Sequence, residues 1–293
     1  MAVAATLLVL AAGPVAAKTF GDWADAQPIE SLPGSSSEVN TASLDGCPIQ
    51  APDGLSLYIA SNRPDGLGGI DIWVAHRSST NEGFGTPVNL GAPVNSAAND
   101  FCPTPVRGKG LFFVSNRPGG CGAGADIYFS RNHPVRGWTE PVHLCCQLNS
   151  AADEFSPSYV EENGTGVLYF SSGRSGVQDI YRSVQQADGN FAAPTAVAEL
   201  NSAFDDARPN VRKDGREIVF DSNRPGGLGG PDIYAATRAS VSDPWLAPVN
   251  LGPAINSDGP ETRASLSWDG QTLVFGSVRA GGEGSTDIYF STR

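Results

Sequence analysis

Five short apolar runs, each of three residues, recur along the chain and dominate its hydrophobic pattern. They occupy residues 57–59, 111–113, 168–170, 218–220 and 273–275. The runs are continuous rather than alternating with polar residues, so each predicts a short strand that is covered on both faces. No convincing helical periodicity is present outside the first residues of the chain. The pattern therefore predicts an all-β protein in which sheets are stacked between sheets.

A polar motif of the form Ser-Asn-Arg-Pro-Gly-Gly follows each run and leads to Asp-Ile and an aromatic residue. Its arginines are Arg63, Arg117, Arg174, Arg224 and Arg279, and its aspartates are Asp71, Asp126, Asp179, Asp232 and Asp287. Consecutive aspartates are 55, 53, 53 and 55 residues apart. A fixed period of this length indicates a repeat fold, in which each unit buries its apolar faces only against its neighbours.

The sequence of each repeat predicts four strands. The first begins at an acidic residue, and these five acids are Asp45, Asp100, Glu154, Asp206 and Glu261. A turn such as Asp-Gly or Asn-Gly joins it to the apolar run, which forms the second strand. The Asp-Ile-aromatic segment forms the third strand, and a segment with an aromatic residue and a proline forms the outer one, because proline is confined to sheet edges.

Four antiparallel strands in each of five repeats predict a five-bladed β-propeller. The chain ends on the third strand of the fifth repeat, and a lone outer strand lies near residues 23–32. We expect that N-terminal strand to complete the last blade and to close the ring. The predicted domain spans residues 18–293 and leaves no room for a sixth blade.

The N-terminal residues 2–17 are small and apolar, and they are too short to span a bilayer. Small residues before Lys18 suit cleavage of a signal peptide of residues 1–17, although a basic segment at its start is missing. The sequence thus predicts a periplasmic or secreted protein without a transmembrane segment. The alternative is an apolar N-terminal helix, which would have no partner in a β-repeat protein.

Composition narrows the choice of partner. The net charge is −12 and the isoelectric point is about 4.6, which argues against nucleic acid and against anionic membranes, because both require basic surfaces. The 35 glycines and 22 prolines recur at fixed places in the repeat and therefore indicate turns rather than disorder. We expect a monomer.

The repeat motif resembles the WD40-like repeat of TolB-type β-propellers over essentially the whole chain after residue 17. Members of that family are largely extracytoplasmic bacterial proteins, and many are binding modules. The TolB protein itself has six blades and a separate N-terminal domain, both of which this chain lacks, so the resemblance does not extend to its partner. The third repeat departs most from the pattern, because residues 172–179 have lost the Pro-Gly-Gly loop.

The five acids that begin the first strands are expected to form a ring around the propeller axis. Such a ring could bind a polar ligand or a cation such as calcium, which prefers hard oxygen ligands. The structural alternative is that each acid pairs with the arginine of its repeat, and five near-identical copies favour it. No cofactor is predicted. Each aspartate of the Asp-Ile-aromatic segment is expected to accept hydrogen bonds from the glycine-rich loop rather than to bind metal.

The five cysteines fall toward one rim of the predicted propeller, mostly around the second blade. They are Cys47, Cys102, Cys121, Cys145 and Cys146. In an exported protein this clustering favours a disulfide, and an odd number leaves one thiol over. We expect Cys121 to pair with Cys145 or Cys146. A pairing of Cys47 with Cys102 requires neighbouring inner strands to approach closely, and small buried thiols are a further alternative.

The symmetric repeat offers no asymmetric set of catalytic groups. The glycine-rich loop precedes no helix and so lacks the features of a phosphate-binding loop, and no nucleophile elbow for a Ser/His/Asp triad is present. We therefore expect a non-catalytic binding or scaffolding module that recognises a protein or a cell-envelope glycan across its loop-rich rim. The alternative is a glycoside hydrolase that uses two central carboxylates, such as Asp100 and Glu154.

Overall fold

The computed structural model describes residues 20–293, and the predicted signal peptide of residues 1–17 lies outside the described residues. Five antiparallel sheets of four strands follow one another along the chain, one for each repeat, which confirms the predicted five-bladed β-propeller. Within a sheet, the strands lie in chain order from the axis outwards. The last blade differs in one respect, because its outer strand comes from the N-terminal end of the described chain.

Each blade consists of four strands, ordered from the inner strand at the axis to the outer strand at the periphery. Blade 1 contains Asp45–Gln50, Ser56–Ser61, Asp71–His76 and Val88–Asn89, and blade 2 contains Asp100–Val106, Gly110–Ser115, Asp126–Ser130 and Val142–His143. Blade 3 contains Glu154–Glu162, Thr165–Ser172, Asp179–Val184 and Thr195–Ala196. Blade 4 contains Asp206–Val211, Glu217–Ser222, Asp232–Thr237 and Val249–Asn250, and blade 5 contains Glu261–Leu266, Thr272–Ser277, Asp287–Thr292 and Gln27–Pro28.

Little other regular structure accompanies the blades. Blade 2 carries a small hairpin of Asn132–His133 and Gly137–Trp138, followed by the four-residue helix Cys145–Leu148. A 3-10 turn, Ile29–Ser31, follows the N-terminal strand. Within residues 20–293, no helix is long and apolar enough to cross a membrane.

The N-terminal strand closes the ring as predicted. Gln27 pairs with Phe290 and Pro28 with Tyr289, antiparallel to the third strand of blade 5. The next residue, Ile29, is fully buried in a cluster that contains side chains of blades 1 and 5. All five outer strands are only two residues long, shorter than the predicted segments, because the prolines in these segments cannot donate to a sheet ladder.

Neighbouring blades pack face to face, and alternate residues of each apolar run contact opposite neighbours. In blade 4, Phe220 lies in a cluster with Tyr169 of blade 3, whereas the adjacent Val219 lies in a cluster with Phe275 of blade 5. All four side chains are fully buried. This arrangement accounts for the continuous apolar runs, since each second strand is covered on both faces.

A β-bulge interrupts the inner strand of every blade at the same place. The bulged residues have φ angles between 46° and 54°, and they are Cys47, Cys102, Ser156, Arg208 and Arg263. None of them is glycine, the residue that tolerates this backbone conformation best. Arg263 of blade 5 reaches blade 2, where it donates to the carbonyl of Pro103 over 3.3 Å.

A buried cluster of charges joins blades 3 and 4 near the ends of their strands. Glu162 accepts hydrogen bonds from the Tyr169 hydroxyl over 2.8 Å, from Arg182 over 3.1 Å and from Arg238. The Arg238 guanidinium also lies 4.1 Å from the centre of the Trp245 ring. Burial of the phenol is the main cause that raises the pKa of Tyr169 to about 12, and the negative charge of Glu162 is the second cause.

The raised pKa of Tyr169 predicts an alkaline loss of stability. The unfolded chain loses the phenol proton near pH 10, whereas the folded protein retains it up to about pH 12. The contribution of Tyr169 to the free energy of unfolding is therefore fully present below pH 10. About 2–3 kcal/mol of it is lost as the pH rises from 10 to 12. Urea unfolding of wild type and of Tyr169→Phe at pH 9 and 12 tests this.

The alkaline experiment needs one control. Both proteins carry Cys145→Ser, because a free thiolate at high pH would rearrange the disulfides. The loss between the two pH values should be smaller in Tyr169→Phe by the stated amount. An equal loss in both proteins would show that the folded protein does not hold this proton.

Candidate functional site

The acid that begins each inner strand pairs with the arginine of its own repeat. The nitrogen–oxygen distances are 2.5 Å for Arg63–Asp45, 2.6 Å for Arg117–Asp100, 3.1 Å for Arg174–Glu154 and 3.2 Å for Arg279–Glu261, and Arg224 pairs with Asp206. All five acids are fully buried. Each arginine also donates to a backbone carbonyl of the segment before its acid, as Arg117 does to Val94. The pairs therefore fasten each connecting segment to its blade.

The remaining oxygens of these carboxylates are also occupied. In blade 2, the second oxygen of Asp100 accepts the backbone N–H and the hydroxyl of Ser96, both over 2.7 Å. Residues 41, 150, 202 and 257 make corresponding bonds in the other blades. The structure thus places Asp100 and Glu154 as buried anchors of the fold, without an exposed oxygen for substrate. Cation binding by the ring stays a prediction.

The aspartate of each Asp-Ile-aromatic segment accepts hydrogen bonds from the loop before it. Asp126 and Asp232 accept the backbone N–H groups of Cys121 and Leu228, both over 2.7 Å. The glycines of this loop make room for the carboxylate, since a Cβ on Gly120 would lie 2.1 Å from Asp126 Oδ2. In blade 3, which has lost the Pro-Gly-Gly sequence, Asp179 accepts the Ser175 hydroxyl instead.

Two disulfides lie on the same side of the molecule. Cys121 pairs with Cys146, which ties the glycine-rich loop of blade 2 to the segment after its outer strand. Cys47 pairs with Cys102, which links the bulged inner strands of blades 1 and 2 over a Cα–Cα distance of 4.9 Å. Cys145 is a free, exposed thiol.

Sequence reasoning missed a cavity on the axis, at the opposite end of the inner strands from the acids. The cavity has a volume of about 460 Å³, and all five blades contribute to its wall. Its lining includes Gln50, Thr104, Arg107, Lys109, Ser158, Tyr159, Glu161, Asn210, Lys213 and Trp268. These residues end the inner strands or lie in the turns after them. The available signal was the dissimilarity of the five turns, which differ in sequence while the rest of the repeat is alike.

Aromatic and charged side chains are combined in this axial cavity. Lys109 Nζ donates to the Tyr159 hydroxyl over 2.8 Å and to Glu161 over 2.9 Å. The hydrogen bond to Tyr159 is the largest cause of a pKa of Lys109 above its usual value. The hydrogen bond to Glu161 raises this pKa further. Across the cavity, Lys213 Nζ lies 4.2 Å from the centre of the Trp268 ring.

One of the bulged arginines, Arg263, contacts the wall of the cavity. Arg263 is 1% exposed, and its guanidinium donates to Thr104 Oγ1 over 3.1 Å, a residue of the cavity wall. Asp221 accepts the backbone N–H of Arg263 over 2.9 Å and the guanidinium of Arg208 over 2.6 Å. Burial raises the pKa of Asp221 and lowers that of Arg263 to about 9.

A second recess of about 560 Å³ lies at the side of the propeller, between blades 2 and 3. Its wall includes Phe112, Phe129, His133 and Phe191. Only two blades contribute to it, and most of its surface is apolar. The axial cavity is the better candidate site, because it combines aromatic rings with converging hydrogen-bonding groups.

No protein-family model matches this chain, and no curated protein matches it in sequence. Solved structures do match it. An α-L-arabinofuranosidase from Podospora anserina in complex with cellotriose has a TM-score of 0.56 and 14% identity, over 92% of this chain and 96% of that one. An endo-arabinase from Bacteroides thetaiotaomicron has a TM-score of 0.56 and 14% identity, over 93% and 98%.

A putative TolB from Agrobacterium tumefaciens also matches, with a TM-score of 0.51 and 17% identity, over 86% of this chain and 84% of that one. The resemblance of the fold to TolB-type propellers is therefore supported. Identities this low establish a common fold and do not by themselves assign a function.

The prediction of a non-catalytic binding or scaffolding module is wrong. Most of the similar structures are glycoside hydrolases, among them arabinofuranosidases and a family-43 enzyme. The repeat is symmetric, whereas the dissimilar side chains lie at the ends of the inner strands and in the turns that line the axial cavity.

Proposed function

We propose that the protein is a glycoside hydrolase whose sugar-binding site is the axial cavity. The observation that carries the proposal is the lining of that cavity, where Trp268 and Tyr159 lie among amide, hydroxyl and charged groups from all five blades. The similarity of the fold to arabinofuranosidases and an arabinase supports it.

The cavity has the chemistry that a sugar ring requires. Aromatic side chains present a flat apolar face with polar edges, and the C–H face of a pyranose or furanose can pack against such a ring. Gln50 and Lys109 supply hydrogen-bonding groups for hydroxyls around it. A volume of about 460 Å³ lies within the usual range of small-molecule sites.

Hydrolysis of a glycosidic bond generally requires two carboxyl groups, one on each side of the bond. Glu161 is the acid in the lining of the cavity, where its carboxylate pairs with Lys109 over 2.9 Å. Asp269 lies outside this lining, in a separate recess that shares Lys213 and Trp268 with the cavity, and its Oδ1 accepts the Ser267 hydroxyl and the backbone N–H of Gln271. We assign Glu161 as the base or nucleophile.

Replacement of Glu161 by Gln is expected to lower glycan hydrolysis about 100-fold or more, since it removes the catalytic carboxylate. Its melting temperature should hardly change, because the ion pair with Lys109 is exposed and contributes about 1 kcal/mol or less. A panel of plant and bacterial polysaccharides, assayed for released reducing ends, provides the measurement.

The matched control is Glu140→Gln, which makes the same charge change at an exposed residue outside the cavity. It should retain full activity. Undiminished turnover in Glu161→Gln would refute the assignment of this residue, and a complete absence of hydrolysis across the panel would refute the proposed activity.

Two expectations from the sequence accompany this proposal. The apolar residues 2–17 support export to the periplasm or the medium, and the recurring Arg and Asp-Ile-aromatic motif supports a repeat of the WD40-like type. Intact-mass measurement of the mature protein tests the first, because cleavage after residue 17 leaves Lys18 as the first residue.

A further inference from the structure

We infer that the axial cavity takes a negatively charged saccharide, one that carries carboxylate or sulfate groups. This inference deepens the proposed function and rests on it. It concerns the class of glycan that the cavity selects, and it is carried by the charges in and behind the cavity wall.

Basic residues are concentrated at the cavity although the protein as a whole is acidic. The sequence contains three lysines, Lys18, Lys109 and Lys213, at a net charge of −12. Two of these three line the cavity, together with Arg107. Glu161 is the acid among the lining residues, so the wall carries an excess of two positive charges.

The excess is not neutralised within residues 20–293. Glu161 pairs with Lys109, and no ion pair in this part of the chain involves Arg107 or Lys213. Lys213 instead lies over the face of Trp268, an arrangement that holds an ammonium group without an anion. Two cationic groups therefore remain for an incoming anion.

A third cationic group lies directly behind the wall. The Arg263 guanidinium is buried, and its hydrogen bonds go to neutral acceptors, which are the carbonyls of Pro103 and Pro209 and the hydroxyl of Thr104. Its Nε has no hydrogen-bond partner among the described residues. Burial lowers its pKa to about 9, so it still carries its charge at neutral pH.

A buried cation is costly, and an anion nearby reduces that cost. Asp221, which accepts the backbone N–H of Arg263, supplies part of this compensation. Thr104 lines the cavity and accepts a hydrogen bond from Arg263. A negatively charged group in the cavity therefore lies close enough to interact with the charge of the Arg263 guanidinium. A neutral sugar would add no further compensation for the charge of Arg263. Charge-assisted hydrogen bonds to Arg107 or Lys213 would add to the affinity and the specificity.

Calorimetric binding to three trisaccharides tests the inference with the full-length protein. The probes are trigalacturonate, its carboxyl-reduced neutral counterpart and a sulfated trisaccharide. Trigalacturonate or the sulfated probe is expected to bind at least about tenfold more tightly than the neutral one. Affinity for the anionic probe should fall as salt is added, since ions screen these contacts.

Two variants localise the binding. Lys213→Gln and Arg107→Gln are each expected to lower the affinity for the anionic probe about five- to tenfold. Neither should change the melting curve, because both side chains are exposed. Arg136→Gln is the matched control. It removes one positive charge from the exposed hairpin of blade 2, and it should bind as the wild type does.

The outcomes separate this inference from the proposed function. Preference for the carboxylate or for the sulfated probe supports an anionic glycan and identifies its source of charge. Equal, salt-independent binding of all three would overturn the inference and leave a sugar site in place. Absence of binding by every probe, together with failure of the polysaccharide panel, would overturn both.

Discussion

Replacement of Asp100 by Asn is expected to lower the free energy of unfolding by about 3 kcal/mol. Asp100 is fully buried and pairs with Arg117 over 2.6 Å, and its second oxygen accepts two hydrogen bonds from Ser96. An amide removes the charge that compensates Arg117, whose side chain is only 16% exposed. It also turns an N–H₂ group toward a donor, which then loses its acceptor.

Urea unfolding monitored by fluorescence measures this effect. The control is Asp25→Asn, which makes the same chemical change on an exposed residue and should alter the stability by less than about 0.5 kcal/mol. A loss below about 1 kcal/mol in Asp100→Asn would show that the pair contributes no more than a surface ion pair. An activity lost together with the fold would not identify Asp100 as catalytic.

The blade count and the first residues of the inner and third strands were predictable because the same local chemistry is repeated five times. Asp45 and Asp100, predicted to open first strands, are the first residues of those strands, and Asp71 and Asp126 are the first residues of third strands. At these positions a carboxylate accepts hydrogen bonds from a loop a few residues away. Such short-range bonds leave a clear signature in the sequence.

The bulge in each inner strand was not predictable. Its residues are Cys, Cys, Ser, Arg and Arg, none of which signals a positive φ as glycine does. The same bulge positions Arg263 across the axis against blade 2. A contact between blades that are not neighbours depends on the closure of the whole ring, and a repeat pattern describes only nearest neighbours.

The axial cavity was missed for a related reason. The turns after the inner strands were interpreted one at a time, as hairpin connections. Tyr159, Lys213 and Trp268 become one site only when the five blades meet around the axis. The repeat is symmetric where it maintains the fold and irregular where these side chains converge, so the symmetric part of the sequence carries no information about this cavity.

Deletion of residues 22–32 is expected to destabilise the protein by at least about 4 kcal/mol and to cause association. The deletion removes the strand that pairs with Phe290 and Tyr289 and the buried Ile29. Loss of the Ile29 side chain alone costs about 2–5 kcal/mol. The third strand of blade 5 then presents unpaired N–H and C=O groups, which favour pairing with another molecule.

The variant Ile29→Ala separates the two contributions, because it creates the core cavity and leaves the backbone pairing intact. It should melt at a lower temperature and elute as the wild type does from a size-exclusion column. The deletion should melt lower still and elute as larger species, since only there is a strand edge exposed. If the deleted protein elutes like the wild type and melts no lower than Ile29→Ala, then the pairing of Gln27 and Pro28 does not hold the ring closed.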